Sequence, residues 1–321
     1  MREKHMKNLA AGAAVLGCLL VSLGLGSGLE CKEGKPTEGE MQKAVSVSAQ
    51  KLQDPVPAAR AARTFNLLLL GQDQQQPENG KRSDCMMLCT ICPENSSLTL
   101  TSVLRDLYVQ IPGYGKNRLN AAYAFGGTEL LERTLRNNLG AAVDGCIEVD
   151  FNSFPALVDL LGGVALELRQ DEAEEINRKV PGSDLHEGTC ILTGEQALAY
   201  SRIRVLDADA DVSRTRRQRR ILETIFASYQ KASPATLLSL IQNVLPMVST
   251  DLSLRELLAI AGALLPVMDR LQVFSGQIPA AGTYQDLRVD GMDVLQADLQ
   301  ANRRELGKIL CPALSTFYFE N

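Results

Sequence analysis

The chain has 321 residues, 45% of them hydrophobic, enough apolar content to bury a full core, and this excludes a disordered or collagen-like chain. Its 33 Lys+Arg against 38 Asp+Glu give a net charge of −5, which excludes bulk-charge affinity for nucleic acid, because that needs excess cations to displace condensed counterions. Only two histidines occur, His5 and His186, so histidine-cluster metal sites are excluded, and a Ser-His-Asp triad would have to use His186 in the polar stretch PGSDLHEGT.

Arg2, Lys4 and Lys7 precede an uncharged run from Leu9 to Leu29. At 1.5 Å per residue that run spans about 30 Å, the thickness of a bilayer core. The leading positive charges place the N-terminus in the cytoplasm and everything after residue 29 outside. The run is longer than a usual signal-peptide core and no clear A-x-A site follows it, which favours an uncleaved membrane anchor over a cleaved signal. Residues 30–63, rich in Lys, Glu, Gln, Pro and Ala, read as a linker, and one domain occupies residues 64–321.

Within that domain FNLLLLG (Phe65–Gly71) reads as a strand buried on both faces. CMMLCTI (Cys85–Ile91) and SLTLTSV (Ser97–Val103) follow as strands separated by PENS. Cys85, Cys89 and Cys92 lie in this apolar run; strand alternation puts Cys85 and Cys89 on one face, which suits buried thiols better than a zinc site. A helix is expected over Gly127–Leu139, a strand near Cys146–Val149, a helix over Phe151–Leu161 and a strand over Val164–Leu168. The pattern is helical again from Gly194, is broken by the acidic stretch DADAD (Asp207–Asp211), and resumes as a long helix over Ser213–Lys231. Two helices between Pro234 and Leu271, a strand over Leu271–Gly276 and a closing helix over Val294–Leu310 complete the reading. Strands alternating with helices predict an α/β fold with helices covering a central sheet.

Three clusters differ from ordinary solvated surface. Asp73 lies just past the first strand and Arg82-Ser83-Asp84 opens the second, where residues beyond the carboxyl ends of strands line a ligand crevice. Two carboxylates there suit a hard dication such as Mg²⁺; the alternative is that each simply caps a turn. Arg105-Asp106 follows the third strand, ahead of the turn residues of IPGYGKNRLNAAY and the further cations Lys116 and Arg118. Between Arg202 and Arg220 stand seven arginines: Arg202, Arg204, Arg214, Arg216, Arg217, Arg219 and Arg220. Helical phasing from Ile221, Leu222, Ile225, Phe226 and Tyr229 places Arg214, Arg217 and Gln218 on the buried stripe. The same phasing places Arg216, Arg219 and Arg220 outside, with Arg219 in reach of Glu223. Guanidinium captures phosphate or carboxylate bidentately, and this many exceed what Asp73, Asp84 and Asp106 neutralise, so the excess points to a bound polyanion with several phosphate oxygens. The competing explanation is a structural ion-pair network with DADAD.

In the segments NLLLLGQD, KRSDCMML, RDLYVQIPGYGKNRLNAAYAFGG, FPALVDLLGGVALEL, LTGEQALAYSRIR and DVSRTRRQRR the chain resembles the LytR-CpsA-Psr family of membrane-anchored glycopolymer ligases of the Gram-positive envelope. The resemblance implies a three-layer α/β/α sandwich with a central mixed sheet. It implies binding of a polyprenyl-pyrophosphate-linked glycan at the cytoplasmic membrane and transfer of the glycan phosphate to a peptidoglycan acceptor, typically a muramic acid 6-hydroxyl. Carried over by position, Asp73 and Asp84 would hold Mg²⁺, with Mn²⁺ an alternative. Arg82, Arg105, Arg202, Arg204, Arg214 and Gln218 would contact the pyrophosphate, with Arg217 in support. For catalysis, Arg105 joins the carboxylates Asp73 and Asp106, and Asp73 is preferred to Asp106 as general base because no histidine is available. The chain departs from the family's pattern at Cys85, where Thr is usual, at Leu104, where Pro is usual, and at Arg219, where a second Gln is common. A hydrolase using water as acceptor, or a non-catalytic envelope-lipid sensor or transcription attenuator, would use the same residues.

Overall fold

The computed structural model describes residues 64–73, 82–150, 152–230, 243–244 and 247–310. The apolar run over residues 9–29, the linker and most of the stretch 231–246 lie outside the described residues. Among the described residues no helix is long and apolar enough to cross a membrane. In chain order the first elements are β1 (Phe65–Asp73), β2 (Arg82–Cys92), β3 (Ser97–Val103), β4 (Tyr108–Ile111), β5 (Gly115–Arg118), α1 (Leu119–Leu139), β6 (Gly145–Asp150), α2 (Phe154–Leu160) and β7 (Val164–Leu168). Then come α3 (Gln170–Lys179), β8 (Gly188–Leu192), α4 (Gly194–Ser201), α5 (Ala210–Tyr229), β9 (Ser249–Thr250) and α6 (Leu254–Leu264). β10 (Gln272–Ile278), β11 (Tyr284–Val289), β12 (Met292–Ala297) and α7 (Leu299–Leu310) complete the domain.

Six strands form one mixed sheet in the order β10-β3-β2-β1-β6-β9. β2 pairs antiparallel with both β1 and β3, while β6 runs parallel to β1 and β10 parallel to β3. Leu67, Leu68, Leu69 and Leu70 are all fully buried, as a strand sandwiched on both faces requires. Leu67 and Leu69 share a face with Met87, Leu98, Leu100, Ile147 and Val149, packed under α2, α4, α5 and α6. Leu68 and Leu70 point the other way, with Met86, Leu88 and Cys146, against α1 and α7. The sheet is therefore the middle of three layers. Cys85 and Cys89 do lie on one face, and Cys85, Cys89, Cys92 and Cys146 are buried cysteines outside any disulfide.

Three elements differ from the sequence reading. α1 starts at Leu119, ahead of the expected Gly127, and bends where Gly126 and Gly127 leave helical geometry; Gly127 has φ +62°, a conformation costly for residues with a Cβ. Beyond the bend Thr128 hydrogen-bonds Glu148 on β6, and Tyr123 before it donates to the same carboxylate at 2.9 Å. α3 (QDEAEEINRK) gives no hydrophobic stripe because only Ala173 and Ile176 among its apolar side chains face the core. The expected closing helix from Val294 begins only at Leu299, because Met292–Ala297 pairs with Tyr284–Val289 across Asp290-Gly291. Both turn residues have positive φ, the geometry of a two-residue Asp-Gly hairpin.

α4 follows an N-cap Thr193, whose side chain accepts from the Gln196 amide while Gln196 reaches back to the Thr193 amide. At Gly194 a Cβ would stand 2.0 Å from the Pro155 carbonyl oxygen of α2. Gly194→Ala is therefore expected to destabilise the domain by about 3 kcal/mol or more, at the upper end of overpacking costs. The midpoint of urea unfolding reads this directly, and a change under about 0.5 kcal/mol would show that α2 yields freely.

Candidate functional site: arginines at the carboxyl end of the sheet

β3 ends at Val103, and the residues that follow it are held by backbone bonds. The Leu104 amide donates to the Ile278 carbonyl of β10 at 2.8 Å. The Arg105 and Leu107 carbonyls accept from the Asn120 and Leu119 amides at the start of α1, at 3.1 and 2.8 Å. The Asp106 carbonyl accepts from the Leu295 amide of β12 at 2.9 Å. Arg105 and Asp106 thus stand on a rigid corner, with Arg118 at the end of β5 facing them.

Three guanidinium groups converge on one carboxylate from α5. Asp211 in the first turn lies 3.3 Å from Arg214, 3.5 Å from Arg204 and 3.8 Å from Arg105. Asp106 in turn lies 3.3 Å from both Arg105 and Arg118. Arg202, the C-cap of α4, and Arg204 two residues on carry the cluster across from α4 to α5. Burial pushes the Asp106 carboxyl up, against the pull of Arg105 and Arg118. Asp211 is also pushed up by burial, but Arg214, Arg105 and Arg204 outweigh that and hold it below its usual value. Among the described residues, four guanidinium groups therefore face the two carboxyls of Asp106 and Asp211.

The acidic stretch supplies more partners than charge counting on Asp73, Asp84 and Asp106 allows. Besides Asp211, Asp209 pairs with Arg216 at 3.6 Å and Asp207 pairs with Arg217. Arg217 is 5% exposed and fully engaged inside the protein: it meets Glu172 at 2.8 Å, donates to the Ile203 carbonyl and lies over the Tyr200 ring. It braces the segment that carries Arg202 and Arg204. Gln218 is buried beside it, and its Oε1 has no hydrogen-bond partner.

Arg219 corrects the helical phasing. The expected outward side chain, paired with Glu223, is instead 7% exposed and donates to Ser102 Oγ on β3 at 2.6 Å. Arg220, also expected outside, is half-buried and bonds the Tyr200 hydroxyl and the Glu167 carbonyl. Only Arg216 of the three is exposed as phased. The reason is that α5 is covered well beyond its apolar stripe: Arg219 lies against β3, and Arg220 lies on a second flank against α4 and β7. Asp211 and Arg118, the two partners that organise the cluster, were visible in the sequence only as members of an acidic run and a basic turn.

Asp73 and Asp84 are placed by backbone register. Asp73 pairs with Arg82, and the register jumps from Gly71↔Cys85 to Gln72↔Ser83, which makes Asp84 the extra residue of a β-bulge. Among the described residues there is no group of three or more His, Cys, Asp or Glu that could hold a metal ion. His186 is exposed on its loop, with its imidazole 3.5 Å from Asp184, and takes no part in the cluster.

The chain as a whole matches known proteins. The LytR_cpsA_psr family model covers residues 30–308. The chain belongs to the LytR-CpsA-Psr family. One relative, the polyisoprenyl-teichoic acid–peptidoglycan teichoic acid transferase TagU of Enterococcus faecalis, is 34% identical over 68% of this chain and 73% of its own length. The TagU of Bacillus anthracis is 37% identical over 50% of this chain, and that match spans 51% of the relative, so the chain covers about half the length of the first curated relatives it matches. Among solved LytR-CpsA-Psr structures, TagT with bound octaprenyl pyrophosphate lipid superposes with a TM-score of 0.60 at 28% identity, over 81% of this chain and 95% of that one. The α/β fold with its central mixed sheet is thus that of the LytR-CpsA-Psr family.

Proposed function

We propose that this protein is an extracytoplasmic phosphotransferase that moves an anionic glycopolymer from a polyprenyl-pyrophosphate carrier to peptidoglycan. The observation that carries the reading is the convergence of four guanidinium groups on Asp106 and Asp211 at the carboxyl end of the sheet, in a family where TagT holds a polyprenyl pyrophosphate. The teichoic acid transferase names of the relatives supply the reaction class. Residues 9–29 would anchor the protein in the cytoplasmic membrane with the domain outside, where carrier and acceptor meet.

In the reaction an acceptor sugar hydroxyl attacks the glycan-bearing phosphorus. A new P–O bond forms, the bond to the carrier's phosphate breaks, and polyprenyl monophosphate leaves with the electron pair. Arg105, Arg204 and Arg214 are aimed at a common point and balance charge on the transferred and leaving phosphates. Asp211 holds them oriented before substrate arrives. Asp106 bridges Arg105 and Arg118 and is assigned to positioning, because a guanidinium group already occupies each of its carboxyl oxygens. Asp73 takes the hydroxyl proton. Asp73 and Asp84 would also hold Mg²⁺, with Mn²⁺ the alternative, and the dication would neutralise phosphate oxygens.

The test is to incubate the full chain with a polyprenyl-pyrophosphate-linked glycan, a peptidoglycan fragment and Mg²⁺, and to resolve products by mass spectrometry. A glycan–phosphate–peptidoglycan adduct is expected, reduced at least about a hundredfold in Arg105→Ala. Lipid monophosphate with free glycan phosphate would instead make the enzyme a hydrolase. Bound but unchanged substrate would make it a sensor.

A further inference from the structure

The buried guanidinium of Arg219 is not part of the cluster described above. It sits one and a half helical turns beyond Arg214 on α5 and bonds Ser102, which precedes Arg105 by three residues. By helix and strand rise it lies roughly 7–10 Å deeper in the fold than the Arg105–Arg214 pair. Its surroundings there are apolar: Cys85, Met87 and Leu100 share that face of the sheet. Its one hydrogen bond goes to a neutral hydroxyl, and its Nε has no partner. Glu223 acts on it through space, and Arg216 adds a like charge. The neighbouring Gln218 Oε1 is likewise buried without a partner. Such a cation is costly in the ligand-free protein, since an unpaired buried charge keeps its desolvation penalty. The anion that compensates it has to arrive with a ligand.

We propose that Arg219 and Ser102 form a second anion subsite, beneath the arginine cluster, that binds the phosphate next to the hydrocarbon of an amphiphilic pyrophosphate. The assignment rests on the proposed carrier-binding role of the site. It follows from position: the outer cluster faces the sheet's carboxyl end and the glycan, whereas Arg219 stands where polar side chains give way to the apolar face. Of the two phosphates the one bonded to the prenyl chain reaches that junction. The guanidinium donates from Nε to a phosphate oxygen, and Ser102 holds the other arm in place.

The full chain, purified in mild detergent, is titrated calorimetrically with geranylgeranyl pyrophosphate and with geranylgeranyl monophosphate. Wild type is compared with Arg219→Met, Arg219→Gln and Arg214→Gln, and ligand-free unfolding midpoints are recorded for each. Arg219→Met and Arg219→Gln are expected to weaken both lipids about 10- to 100-fold, the loss of a charge-assisted hydrogen bond. Their ligand-free midpoints are expected to equal or exceed wild type, since an uncompensated charge has been removed. Arg214→Gln is expected to weaken the pyrophosphate more than the monophosphate. Wild-type affinities in both Arg219 variants, with Arg214→Gln impaired, would overturn the second subsite and leave the first intact. Lowered ligand-free midpoints with unchanged affinities would overturn it by making Arg219 a structural residue. If Arg214→Gln also bound both lipids as wild type does, the carrier-binding reading itself would fall.

Discussion

Arg214→Gln is expected to slow glycan transfer about 10²- to 10³-fold while the domain stays folded. Arg214 is 4% exposed, lies 3.3 Å from Asp211, and shares that carboxylate with Arg105 and Arg204. A buried guanidinium aimed at phosphate oxygens acts at lower effective dielectric than an exposed one, so its removal costs far more than removal of a surface charge. Glutamine keeps much of the volume and one donor group but supplies no charge. Arg214→Lys should recover only part of the loss, because an ammonium is a point charge without the planar fork that grips two oxygens. The measurement is kcat for adduct formation beside a thermal midpoint. Turnover within about threefold of wild type, in a protein of unchanged midpoint, would remove Arg214 from the reaction.

The second large effect is on stability. Arg217→Met is expected to destabilise the domain by about 3–5 kcal/mol, since it strands the buried Glu172 and the half of Asp207 that Arg217 covers. Glu172 is 3% exposed and caps α3 through the Arg169 amide, so its charge has no path to water. The double change Arg217→Met with Glu172→Leu should restore much of the loss, because replacing a whole buried pair by apolar side chains is often neutral. Urea unfolding reads the energy. At temperatures where the variant remains folded, its KM for the carrier-linked glycan is expected to stay within about threefold of wild type, as befits a brace rather than a ligand contact. A KM raised tenfold with unchanged unfolding would put Arg217 on the substrate instead.

These two arginines sit one turn apart on the same helix, and the sequence marked both as inward-facing. Their different work was not legible. Arg214 looks out of the α5 N-terminus toward Asp211 and Arg105, whereas Arg217 looks back under α4 toward Glu172, and only the packing of α3 against α4 distinguishes them. Asp211 is a similar case: in DADAD it is one of three acidic residues in a row of alternating alanines, and nothing local sets it apart from Asp209. It becomes the centre of the cluster because the corner after β3 brings Arg105 to it.

The sequence by itself determined the layers, the strands of the sheet's centre and the family. FNLLLLG reads as a strand covered on both faces, as it proves to be, and Arg105 and the α5 arginines stand at the sheet end where the cluster forms. What only the tertiary structure decided was which cations have internal partners and which do not. Hydrophobic phasing sees the one helix face that meets the main core. α5 is buried on a second flank, against α4 and β7, and polar side chains there carry no periodic signal. Arg220, phased outward, is half-buried for that reason, bonded to Tyr200 and the Glu167 carbonyl, and Arg219 is hidden against β3, with Ser102 as its one hydrogen-bond partner.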